Sequence, residues 1–301
     1  MVRVGVMRAP RCYSLFAMVT AAPPEVLAET ERSLQMHGRV VLCQIVRAEG
    51  STPGKMGWKL LARPDGSFYG NLGGGAFEAL VKTDALAKLR AGGGVLSSEI
   101  KRYYLTEEAT KGEPTGMVCG GMAEVFLEVM VAAPVLVICG GGPVGQALAR
   151  AASLAGFECR VADDRAEFRD PAMFPAGVRF AAVDPAYEPA DEDKDAGEDL
   201  LAPVRNRELY VAVVTRCWET DTAALAAVLR DVPPGLRYLG LMGSRRKLAR
   251  VREELAARGF DLSGVRLHAP IGLPIGGDSP GEIAISILAE VIGTRYEKSD
   301  A

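Results

Sequence analysis

Three glycines, Gly140, Gly142 and Gly145, follow the apolar run Val135–Ile138 and open a stretch with helical periodicity. Glycine at this spacing lets backbone amides approach a diphosphate at a helix N-terminus, where the helix dipole favours an anion. Asp163 ends a second apolar run at the distance a ribose-binding carboxylate takes in such a unit. The pattern predicts a nucleotide-binding type of domain in the second half of the chain; an NAD(P)-dependent oxidoreductase is the alternative reading that it supports.

The first half carries two more glycine turns. Gly73, Gly74 and Gly75 lie between a strand-like segment and a helix expected from Ala76 to Arg90. Such a turn reads either as an anion cradle made of bare amides or as a plain hairpin-to-helix turn with Glu78 complementing the helix dipole from its first turn. Cys119 is followed by Gly120 and Gly121, and reads either as a reachable sulfur whose thiolate nearby amides stabilise or as a buried structural cysteine.

Further candidates lie near the ends of later strands. Ser244 and the basic run Arg245, Arg246 and Lys247 open a helix after Gly240–Gly243. Positive charge at a helix start opposes the dipole, so an anion is expected nearby. Arg216, Cys217 and Asp221 follow another apolar strand, with Asp221 read either as a cleft residue or as a helix cap. His268 stands alone and is read as structural, and no Ser-His-Asp arrangement is available.

The composition limits the classes of function. The chain has 301 residues, 49% hydrophobic and 24% charged, with a net charge of −3. That balance fits two soluble domains and excludes nucleic acid or an anionic membrane as the main partner. Cysteines at 12, 43, 119, 139, 159 and 217 form no C-x-x-C pair, which places the chain in a reducing cytoplasm. Two histidines without H-x-x-H spacing give a zinc site little material. Residues 1–22 are read as a poorly ordered extension or an overlong start rather than an export signal. No run approaches the length of a transmembrane helix.

The elements that would position these residues change style at Pro134. Over residues 24–132 the pattern is α+β: an opening helix, a strand at 40–46, a hairpin turning at Pro64-Asp65-Gly66, a helix, and two more strands. Over 133–301 apolar strands alternate with helices, which predicts a Rossmann-like, doubly wound parallel sheet. Its last helix starts cleanly, with Ser279 as cap, Pro280 next and Glu282 completing a capping box. The acidic stretch 184–199 is expected to be an exposed, mobile loop.

Taken in order, Glu49–Gly54, Gly70–Gly75 with Glu78, Cys119–Gly121, Gly140–Gly145, Gly240–Lys247 and Ala269–Leu273 through Ile292 resemble the XdhC/CoxI family. Its members are accessory proteins that mature xanthine dehydrogenase and related molybdenum hydroxylases. The resemblance implies a binding chaperone rather than a metabolic catalyst. Such a protein holds the molybdenum cofactor (molybdopterin) while a cysteine desulfurase exchanges an oxo ligand for sulfide, then delivers it to the apo molybdenum hydroxylase. On that reading the glycine turns and Arg245 meet the anionic cofactor, Cys119 approaches the metal, and a homodimer is expected. The sequence departs from the family at Ala76, where a cysteine is frequent, and at Pro143 and Arg216-Cys217-Trp218, where many members carry histidines.

Overall fold

The computed structural model describes residues 23–91, 98–105, 113–114, 120–189, 200–262 and 264–297. Contacts divide the chain into two compact units, the first built on Val40–Met130 and the second on Val131 onward. The opening helix α1, Pro23–His37, contributes to the first as far as Glu31 and to the second from Arg32.

The first unit is α+β. Its sheet contains β1 (Arg39–Glu49), β2 (Lys59–Ala62), β3 (Phe68–Gly70), β4 (Glu99–Tyr104), β5 (Glu113–Pro114) and β6 (Met122–Val131), in the order β3-β2-β1-β6-β4-β5. The Pro64-Asp65-Gly66 turn joins β2 to β3 as an antiparallel hairpin, held by the Asp65 carboxylate accepting from Ser67 N at 2.8 Å. Strict alternation along β6 sends Ala123, Val125, Leu127 and Val129 inward. They share a core with Val41, Cys43 and Ile45 of β1 and with Phe77, Val81 and Ala85 of helix α2 (Gly75–Arg90). The two-residue strand β5 was not expected from the sequence, because so short an element carries no period to detect.

The second unit is a doubly wound sheet. Its strands are β7 (Val135–Cys139), β8 (Glu158–Asp163), β9 (Arg179–Ala182), β10 (Leu209–Val213), β11 (Leu236–Leu241) and β12 (Leu267–His268). The order is β12-β11-β10-β7-β8-β9, and every pair is parallel. Helices α3 (Pro143–Leu154), α4 (Trp218–Leu229), α5 (Arg245–Ala257) and α6 (Pro280–Tyr296) provide the flanking layers. β7 and β10 are buried at every position, so they read as unbroken apolar runs. Alternate residues serve opposite faces: Val135, Val137, Val211 and Val213 pack with Leu225 and Val251, whereas Leu136, Ile138, Tyr210 and Ala212 pack with Leu148, Ile287 and Val291.

Strand order reverses between β7 and β10, and that switch point is where an open α/β sheet forms a crevice at its carboxyl edge. Helix α6 begins as its sequence signals: Ser279 caps it, and the Glu282 carboxylate accepts in return from Ser279 N at 3.0 Å. Residues 190–199 of the acidic stretch and the amino-terminal residues 1–22 lie outside the described residues. Among the described residues no helix is long and apolar enough to cross a membrane.

Candidate functional site

In the first unit, two segments distant in sequence, at 72–73 and 120–121, meet on the loop formed by residues 49–54. Ser51 bridges to Gly120. A Cβ on Gly121 would strike the Ser51 carbonyl oxygen and come within 2.8 Å of that of Glu49. One on Gly54 would strike the Leu72 carbonyl oxygen, and one on Gly73 would meet the Pro53 carbonyl carbon at 2.5 Å. These glycines let backbone lie directly on backbone. Gly74 and Gly120 differ: both have positive φ, 77° and 70°, and nothing lies within 4 Å of where a Cβ would be.

The amides of Gly73 and Gly74 are engaged by the chain itself, which goes against the cradle reading at these two positions. The Glu78 carboxylate folds back to accept from Leu72 N at 2.9 Å and Gly74 N at 3.1 Å, and the Asn71 side chain accepts from Gly73 N. Lys82, one turn on, pairs with the other Glu78 oxygen at 2.7 Å. Burial by itself would raise the Glu78 pKa, but the Lys82 hydrogen bond and the two amides outweigh it and hold the pKa below the usual value. Glu78 therefore shapes the turn from within. The electropositive end that stays open is the start of α2, where Gly75 and Ala76 are exposed and no side chain supplies a cap.

Cys119, the thiol that precedes Gly120 in sequence, lies outside the described residues. Among the described residues no group of three His, Cys, Asp or Glu side chains could hold a metal ion. With Ala76 in place, the α2 start offers no thiol either.

The second unit gathers its candidates at the carboxyl edge. Gly140, with φ of 116°, presses against the exit of β10, where a Cβ would meet Val214 O at 2.7 Å. A Cβ on Gly145 would strike the Gly140 carbonyl oxygen, whereas Gly142 faces open space. Asp163, 1% exposed, is turned inward: it accepts from Gly141 N at 2.8 Å and from Arg165 N at 3.0 Å, and it pairs with the Arg165 guanidinium at 2.9 Å. A ribose-facing carboxylate was expected, and here both oxygens are engaged by the chain itself.

The basic run at 245–247 has an internal partner. Ser244 uses its hydroxyl as the α5 cap, accepting from Lys247 N at 3.3 Å. Lys247 pairs with Asp221, which is fully buried, so the anion expected beside this helix start belongs to the chain. Burial raises the Asp221 pKa, against the opposing pull of Lys247 and Thr215. Asp221 is not a cap; Cys217 occupies that position on α4, and Asp221 sits one turn in, receiving the Thr215 hydroxyl at 2.6 Å. Arg245 and Arg246 are exposed to solvent. His268 is structural in its contacts, bonded through Nδ1 to Glu290 at 2.9 Å and stacked 4.4 Å from the Tyr238 ring.

Sequence reasoning missed Asn71, Lys82 and Asp164. Asp164 receives a two-pronged hydrogen bond from Arg216, at 2.6 and 2.7 Å. The one available signal was the doubled acid Asp163-Asp164 where a Rossmann strand needs a single carboxylate.

The model of the XdhC Rossmann domain matches residues 136–291, and the model of the XdhC and CoxI family matches residues 33–103. The chain belongs to the XdhC and CoxI family. The XdhC and CoxI match takes in the 49–54 loop and the 73–75 turn, and the Rossmann match takes in the whole carboxyl edge. Cys119, Gly120 and Gly121 fall between the two matched ranges.

Among curated relatives, this XdhC-type chain is 32% identical over 272 residues to the uncharacterized protein YqeB of Escherichia coli, covering 90% of the chain and 46% of that protein. It is 28% identical over 176 residues to a Bacillus subtilis protein named as a probable xanthine dehydrogenase subunit, covering 57% of the chain and 46% of that protein. The chain thus spans about half the length of the curated relatives it matches. A crystal structure described as a xanthine dehydrogenase from Bacillus halodurans aligns over 91% of this chain and 97% of that one, with 21% identity and a TM-score of 0.45.

Proposed function

We propose that this chain is a maturation factor for a molybdenum hydroxylase of xanthine dehydrogenase type. Its cargo is the molybdenum cofactor, which it holds while a cysteine desulfurase supplies sulfide and then passes to the apo enzyme. Support comes from membership of the XdhC and CoxI family and from the name carried by the Bacillus subtilis relative. The observation that carries the reading is the meeting of two glycine segments, at 72–74 and 120–121, on the 49–54 loop of the first unit, with open space at the Cβ positions of Gly74 and Gly120 and no side-chain cap on α2.

The described residues suit the anionic part of such a cargo. The exposed first turn of α2, at Gly75 and Ala76, would take a phosphate through its amides. Glu78 and Lys82 hold the turn in shape while this happens, and a flat ring can lie close to Gly74 because it has no Cβ and nothing occupies that position. The cargo brings a metal centre able to carry sulfide. Cys119, next to Gly120 in sequence, is the thiol assigned to approach it.

Protein purified from a host that makes the cofactor provides the test, with molybdenum measured by mass spectrometry and pterin by fluorescence after oxidation. The wild type is expected to carry both, and Cys119→Ala to bind molybdenum about tenfold more weakly or worse. Absence of metal and pterin from the wild type would overturn the proposal; unchanged occupancy in the variant would remove Cys119 from the site.

A second reading, an NAD(P)-dependent oxidoreductase, draws on the strand order of the second unit and its glycine turn. The inward Asp163 carboxylate counts against it. Calorimetric titration with NAD+ and NADP+ separates the two readings.

A further inference from the structure

The glycine turn of the second unit is boxed in on two sides. Gly140 packs on the exit of β10 at Val214 and Thr215. Gly141 lies beneath Phe168, whose carbonyl oxygen would collide with any Cβ added there. Phe168 belongs to the short turn Ala166–Arg169 that follows β8, with the Arg165 guanidinium stacked 3.9 Å from its ring centre. Since β8 and β10 flank β7 in the sheet, the two segments that box the turn come from opposite sides of it.

A two-pronged ion pair ties these segments together. Arg216, from the β10 side, donates both terminal nitrogens to Asp164, from the β8 side, at 2.6 and 2.7 Å. The pair therefore spans the strand between them, at the edge where the turn emerges. We propose that Asp164 and Arg216 form a clasp that holds the segments flanking the turn closed over Gly140 and Gly141, and that parting the clasp uncovers these two residues.

Exposure distinguishes this pair from the ion pairs that hold the interior. Arg207 with Glu158 is 2% and 19% exposed, and Lys247 with Asp221 is 21% and 0%. In the clasp, Asp164 is 8% exposed but Arg216 is 42% exposed, so water and salt reach one half of it. A fixed acid facing a solvated, movable guanidinium suits a contact that opens and closes more than one that bears the fold. The inference concerns the second unit alone and does not rest on cargo binding by the first.

Hydrogen exchange read by mass spectrometry on the whole protein tests it. In Asp164→Asn and in Arg216→Gln, exchange in peptides covering 140–146 is expected to rise about two- to fivefold, with peptides from β7 and β10 unchanged. The double variant is expected to rise no further than either single one, because both remove the same contact. In the wild type, raising the salt concentration from about 0.05 to about 1 M should produce the same local rise without any substitution. Loop exchange that stays constant in all three tests overturns the clasp. So does a rise shared equally by loop and core strands, since that would be a loss of overall stability.

Discussion

In the first unit the glycine turn at 73–75 is closed by Glu78, which reaches back from the helix that the turn begins. In the second unit the turn at 140–142 is closed by Asp163, brought in from the neighbouring strand 22 residues after Gly141. Both turns would read from sequence as cradles for an outside anion, and both hold a carboxylate of the chain itself. They differ in reach. Glu78 and Lys82 are neighbours on one helix and form with it, whereas Asp163 can meet Gly141 only after β7 and β8 have paired. The first closure is local and partly solvated; the second depends on tertiary structure and is buried.

The glycines that cannot accept a side chain bear on this comparison most strongly. Gly145→Ala would drive a Cβ into the Gly140 carbonyl oxygen at the tightest point of the second turn. Gly121→Ala would do the same to Ser51 in the first unit. Backbone cannot yield as a side-chain tip does, so each is expected to cost about 3 kcal/mol or more in urea-unfolding experiments. If either variant melted like the wild type, the backbone-on-backbone packing that builds its turn would be wrong.

Removing each closing charge sharpens the contrast between local and tertiary closure. Asp163→Asn leaves the Arg165 guanidinium without its buried counter-charge and weakens the bond to Gly141, at an expected cost of about 2–4 kcal/mol. Glu78→Gln keeps an acceptor for Leu72 and Gly74 near solvent and is expected to cost about 1–2 kcal/mol. The Glu78 contribution also depends on pH. Its folded-state pKa lies below the unfolded one, so the stabilisation is complete above the ordinary glutamate value of about 4.3 and disappears as pH falls through the lowered value. The stability gap between wild type and Glu78→Gln should therefore stay constant at neutral pH and narrow as the pH falls below about 4.3. A gap that widened on acidification would mean that Glu78 is not held as a charged acceptor.

The same contrast explains what could be read from the chain before folding. Features set by neighbours in sequence were legible: the Asp65-Gly66 hairpin, the Ser279–Glu282 capping box, the alternation of β6, and the unbroken apolar runs of β7 and β10. The glycine turns themselves were legible as well, because glycine spacing is a local property. Their occupants were not. Lys247 called for an anion, but that this anion is Asp221 follows from α4 and α5 lying side by side on one face of the sheet. Likewise, nothing in the run Asp163-Asp164-Arg165 says that the first acid turns inward while the second meets Arg216. Glu78 is the instructive intermediate case. Its place in the first turn was evident, but a dipole-complementing role and a loop-closing role share that position, and only the backbone path of Leu72–Gly74 decides between them.

The smallest expected effect belongs to one of the two glycines that cap the helices after these turns. Gly74 adopts φ 77° and ψ −169°, a region that L side chains scarcely enter, so Gly74→Ala is expected to cost about 1–3 kcal/mol despite the open space around it. Gly142 adopts φ −65° and ψ −174°, ordinary extended backbone that alanine accepts, also with open space at the Cβ position. There the unfolded chain loses freedom, which favours folding by about 0.4–1 kcal/mol, while alanine is a slightly poorer helix cap than glycine. The two terms nearly cancel, and Gly142→Ala should leave thermal stability within about 0.5 kcal/mol of wild type. The first cap would then be glycine because its backbone requires it, and the second because something must pass close to it or because the position is unconstrained. A loss above about 1 kcal/mol at Gly142 would place hidden strain in the second turn as well, and the two closures would no longer differ in kind.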